Sequence, residues 1–92
     1  MTKLEEARIK IDEIDENIIS LYDKRLEVVL DVIRYKIENN IPITDNSREV
    51  LMLEKNLKKI KDPKYKKYYK SVLEGFIKAS KEMQKDILDG TL

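Results

Sequence analysis

Apolar residues recur at alternating three- and four-residue steps along most of the chain. Leu4, Ala7, Ile11, Ile14, Ile18 and Leu21, followed by Val28 and Val32, trace a single helical stripe. The stripe runs unbroken to about Asn40. The Asn39-Asn40 pair suits a helix end, and Pro42 enforces the stop, because proline lacks an amide donor and biases its predecessor away from helix. Asp45, Asn46 and Ser47 then offer acceptors for the free amides of a second, short helix that carries Val50, Leu53, Leu57 and Ile60. A further break falls at Asp62-Pro63. Beyond it Tyr65, Tyr69, Val72, Phe76, Ala79, Met83 and Ile87 resume helical spacing until Gly90. The pattern predicts an all-α fold of three helices, one long, one short and one medium, within a single domain covering residues 1–92.

The first helix sets the expected architecture. About 36 residues at roughly 1.5 Å each span about 55 Å, whereas a compact monomer of this length is only about 30 Å across. Two shorter helices of the same chain cannot cover such a stripe, so a second copy is expected to cover the rest in an intertwined homodimer. The alternative is a monomer whose first helix kinks or frays near Asp23 to Arg25.

Polar residues interrupt the apolar stripes at particular places. Continued at its own spacing, the first stripe passes through Arg25 and Lys36. These two are about 20° apart in azimuth and about 16 Å apart along the axis, so long side chains leaning together could grip one small molecule. A buried cation needs a partner; it either reaches solvent, pairs with a carboxylate such as Asp15 or Glu49, or meets an anionic ligand. In the third helix Leu73, Phe76 and Ile77 are followed on the same stripe by Ser80 and Gln84, neighbours on one face that supply neutral hydrogen-bonding groups. Arg8 lies about 25 Å before Arg25 and roughly 100° round the helix. It cannot share a small ligand with Arg25 of its own chain, but in an antiparallel dimer it could enter the partner's site. Arg48 and Glu49 open the second helix, where Glu49 complements the helix dipole or the pair forms a pocket rim beside Pro42 to Asp45.

Composition narrows the chemistry. The 19 basic residues nearly balance the 18 acidic ones, leaving a net charge of +1 and no bulk field to attract nucleic acid or an anionic membrane. Cysteine and histidine are both absent, which removes thiol nucleophiles, imidazole bases and the usual nitrogen and sulfur ligands of zinc. Neither a signal peptide nor a membrane span is legible, so a cytoplasmic location is expected. The lysine- and tyrosine-rich stretch from Lys58 to Lys70 receives no function from its pattern, and Gly75 suggests close helix packing.

Taken in order, Arg8-x-x-Ile11-Asp12-x-Ile14-Asp15, Arg25, Lys36, Pro42-Ile43-x-Asp45-x-x-Arg48-Glu49 and Ser80-x-x-x-Gln84 resemble the all-helical chorismate mutases of the AroQ class. The resemblance covers nearly the whole chain. It implies an intertwined dimer with two equivalent sites, each receiving one arginine from the partner. It also implies a Claisen rearrangement of chorismate to prephenate, toward phenylalanine and tyrosine, that needs no cofactor, metal, nucleophile or proton transfer. By the same resemblance Arg25 and the partner's Arg8 bind the two carboxylates with help from Ser80, and Lys36 and Gln84 donate to the ether oxygen. Glu49 accepts from the ring hydroxyl near the backbone of Asp45, and Arg48 steadies the carboxylate or Glu49. Two other functions fit the same residues: a pyruvate lyase acting on isochorismate, and a non-catalytic helical dimer or regulatory module that binds an aromatic acid. Glu49 favours the mutase over the lyase, and the set of Lys36, Glu49 and Gln84 speaks against a degenerate pocket.

Overall fold

The computed structural model describes residues 1–42 and 46–92, and among these the chain is helical. Helix α1 spans Lys3–Glu38, α2 spans Asn46–Leu57 and α3 spans Lys66–Asp89, with a 3-10 turn at Pro63–Tyr65 leading into α3. Asp45, expected both as a helix cap and as a binding residue, lies outside the described residues.

The ends of α1, the 3-10 turn and the end of α3 have local causes. The Thr2 hydroxyl accepts the Glu5 amide at 3.1 Å and donates to the Glu5 carboxylate at 3.2 Å, which satisfies one free amide at the start of α1. At the other end Asn40 takes a left-handed conformation with φ 55°. The Ile41 amide reaches back to the Lys36 carbonyl at 2.8 Å and the Asn40 amide to Ile37 at 3.3 Å, the paired bonds of a Schellman cap. The Asn39 side-chain amide adds a third bond, to the Tyr35 carbonyl at 2.9 Å. Asp62 caps the 3-10 turn through the Lys64 amide at 3.1 Å, with Pro63 in the first position, where its missing donor costs nothing. Gly90 ends α3 with φ 76°, its own amide and that of Thr91 bonding to Ile87 and Asp86.

The chain forms two units, residues Met1–Val32 and Ile33–Leu92. The first is helical from Lys3 onward, with no interruption at Asp23 to Arg25, so the segment is not frayed there. Leu4, Ile11, Ile14, Ile18, Leu21, Val28 and Val32, the stripe expected to face inward, are instead 48% to 64% exposed in the single chain. The half-buried residues of this unit are Tyr22, Arg25, Leu26, Val29 and Leu30. At 3.6 residues per turn, Tyr22, Leu26 and Val29 lie roughly 100° round from Leu21, Val28 and Val32, with Arg25 on the seam between the flanks. The apolar surface of α1 is thus wider than one stripe, and its half-buried and its exposed residues lie on different flanks.

In the second unit α2 packs against α3. Along α2 the half-buried residues are Glu49, Met52, Leu53, Asn56 and Leu57; along α3 they are Lys66, Leu73, Phe76, Ile77, Ala79, Ser80, Met83, Gln84 and Ile87. Val50, Tyr65, Tyr69 and Val72, placed on the apolar stripes by spacing, are exposed. Ile33, 1% exposed, is the one fully buried side chain among the described residues. Gly75 is also exposed, and a methyl group added there would meet nothing within 4 Å, so close packing within the chain does not account for it.

Candidate active site

Five of the polar residues singled out from the sequence are half-buried: Arg25, Lys36, Glu49, Ser80 and Gln84. Arg8 and Arg48 are exposed. Half-burial of Ser80 and Gln84 follows from their place on the stripe of α3, one turn apart and in line with Phe76, Ile77, Met83 and Ile87. Lys36 stands in the last turn of α1, where its cationic side chain complements the carbonyl end of the helix and its own carbonyl is held by the Ile41 amide.

Glu49 stands in the first turn of α2 and reaches across to α3, where its Oε1 accepts from Lys81 Nζ at 3.1 Å. The two side chains are 26% and 46% exposed respectively, so the pair is neither sealed from water nor fully in it. It stands on an open groove of about 760 Å³ between α2 and α3. Val50, Leu53 and Ile77 form the apolar part of the groove, and its polar walls carry Lys70, Lys78, Lys81 and Lys85 against Glu49, Glu74 and Glu82. Ser80 and Gln84 do not line this groove; they lie on the covered stripe beside it.

Lys81 and the groove were not read from the sequence. The signal for Lys81 was weak, since it sits one residue after Ser80 in a helix already rich in lysine, and the partner that distinguishes it belongs to another helix. Chemically, the second unit offers a cation, a carboxylate, a hydroxyl and a primary amide at half-buried positions, a set suited to binding a small hydroxylated carboxylate through directed hydrogen bonds. No helix among the described residues is long and apolar enough to cross a membrane.

A helical chain carrying these residues is what one enzyme family is built from. The model of the type II chorismate mutase family matches residues 7–85, and the chain belongs to that family. It is similar to a bifunctional chorismate mutase/prephenate dehydratase of Buchnera aphidicola subsp. Schizaphis graminum, 48% identical over 48 residues, 52% of this chain and 12% of that protein. It is also similar to the T-protein of Haemophilus influenzae, 39% identical over 54 residues, 59% of this chain and 14% of that protein. The matched region is therefore a small part of either relative's length. No solved structure matches the chain.

Proposed function

We propose that the chain is a chorismate mutase that converts chorismate to prephenate by restraining the substrate and stabilising charge at its ether oxygen. The observation that carries this is the family match across residues 7–85, which takes in Arg8, Arg25, Lys36, Arg48, Glu49, Ser80 and Gln84 together. Half-burial of Arg25, Lys36, Glu49, Ser80 and Gln84 supports it, because polar groups at partly covered places on apolar helix faces can meet a small polar ligand through directed hydrogen bonds.

A unimolecular rearrangement asks two things of a protein. The flexible dianion must be held in a compact, chair-like conformer, and the negative charge that grows on the ether oxygen as its bond breaks must meet donors already in place. Arg25 and the partner's Arg8 bind the carboxylates, with Ser80 assisting. Lys36 and Gln84 donate to the ether oxygen. Glu49 takes the ring hydroxyl, Asp45 is counted among the substrate-binding residues, and Arg48 steadies Glu49 or a carboxylate.

The protein works as a homodimer formed through the open flank of α1. Covering seven half-exposed aliphatic side chains contributes about 1 kcal/mol each, enough in sum to set against the entropy of association. Arg25 at the edge of that flank is where a partner's Arg8 would arrive. The single domain of residues 1–92 is the unit that does this, in a cytoplasmic setting.

The test is the loss of chorismate absorbance on adding purified protein, with the product identified as prephenate. Rapid conversion supports the proposal. Binding of chorismate without conversion would replace it with a regulatory module, and release of pyruvate from isochorismate in place of prephenate formation would replace it with the lyase.

A further inference from the structure

We infer that Lys81 is a positioning residue of the chorismate site: it holds Glu49 through one carboxylate oxygen and leaves the other to accept from the substrate hydroxyl. The inference rests on the mutase function proposed above and adds a residue to it.

The geometry is that of a clamp across two helices. Glu49 projects from the first turn of α2 and Lys81 from the middle of α3, and their charged atoms lie 3.1 Å apart. Among the described residues the bond uses Oε1, and a carboxylate has acceptor capacity on both oxygens, so Oε2 can take a second donor. A free glutamate samples several rotamers, and ordering it when substrate arrives weakens binding; a cation already in contact reduces that cost.

A second consequence is electrostatic. Glu49 puts a negative charge where a dianion must approach, and Lys81 offsets it at contact distance. The other lysines of the groove, Lys70, Lys78 and Lys85, stand along its walls and contribute only to the general field. Among the described residues Lys81 differs from them in forming an ion pair, and with a residue that is itself assigned to the substrate.

The ring hydroxyl sits on the carbon next to the one that carries the ether oxygen, but its own bonds are neither made nor broken in the rearrangement, so an interaction made through it acts on ground state and transition state to a similar extent and appears in KM more than in kcat. The experiment is steady-state chorismate kinetics on the full chain for Lys81→Met, Lys81→Arg, Lys85→Met and Glu49→Gln, and for Lys81→Met combined with Glu49→Gln. The expected result for Lys81→Met is a KM raised about two- to fivefold, as suits a partly exposed pair, with kcat within about twofold. Lys81→Arg restores KM, Lys85→Met leaves it nearly unchanged, and Lys81→Met adds nothing once Glu49 is already Gln.

An unchanged KM in Lys81→Met overturns the inference, as does an equal rise in Lys85→Met or an undiminished effect in the Glu49→Gln background. Either of the last two would assign Lys81 to the general field alone. Those results leave the mutase function standing, because the wild-type chain still converts chorismate in each. A wild-type chain without turnover removes the function, and the role of Lys81 with it.

Discussion

A polar residue at a covered place in an otherwise apolar stripe has to be explained, and here four of them carry the proposed chemistry. Arg25, Lys36, Ser80 and Gln84 could be picked out because spacing alone shows when a position belongs to an apolar face. Their half-burial agrees with that expectation, although α1 turns a different flank to cover than the one its spacing favoured. Lys81 was not legible in the same way, since its importance comes from Glu49 on another helix, and periodicity says nothing about which helices face each other. Two outcomes follow at this scale. Lys36→Ala removes a cation aimed at a developing anion, a loss that typically costs about a hundred- to a thousandfold in turnover, or roughly 2.7 to 4 kcal/mol. Measured kcat should fall by at least that, and a variant with full turnover would take Lys36 out of the transition state. Gln84→Glu exchanges a donor for a carboxyl group that donates only when protonated, with an ordinary value of about 4.3. Its activity should therefore be low near neutrality and rise as the pH is lowered, shifting the optimum to acid; a pH profile matching wild type would remove Gln84 from the site.

At the scale of the element, the breaks were the most legible feature, because each is made by a residue whose backbone chemistry leaves few choices. Pro42 follows the end of α1, Asp62-Pro63 precedes α3, and Gly90 closes it in the left-handed region. Asn40 turned out to supply the left-handed residue for α1, as the asparagine pair suggested. What spacing could not settle was which part of a broad apolar surface is covered, since Leu21 and Tyr22, or Val28 and Val29, are equally good neighbours on such a helix. Gly75 shows the same limit: mid-helix glycine suggested close approach, and the described residues bring nothing there. Gly75→Ala should accordingly stabilise α3 by about 0.5–1 kcal/mol through helix propensity and a less flexible unfolded chain. Thermal unfolding at matched protein concentration should show Tm higher by several degrees. A lower Tm would mean that another chain comes close to Gly75 in the assembled protein, which would give the glycine its purpose after all.

At the scale of the whole molecule, the open flank of α1 and the position of Arg8 raise the same question, whether a complete site needs two chains. Arg8 and Arg25 of one helix are about 25 Å apart, too far to hold one small ligand. If the proposed arrangement is right, a site uses Lys36 of one chain and Arg8 of its partner, and two inactive variants can then repair each other. In a mixed dimer of Arg8→Ala and Lys36→Ala chains, one site receives both defects and the other receives neither. With random exchange about half the dimers are mixed and each has one sound site, so about a quarter of wild-type activity should return on co-refolding. The pairing of Arg25→Ala with Lys36→Ala is the control: both residues belong to the same chain's site, every site in the mixture lacks one of them, and no activity should return. Sedimentation of the mixture establishes that dimers have formed. Recovery in the first mixture and not the second supports the shared site, whereas recovery in neither, with dimers present and Arg8→Ala inactive by itself, would mean that Arg8 does not act in the partner's site and leave the α1 flank as an interface that lends no residue across it.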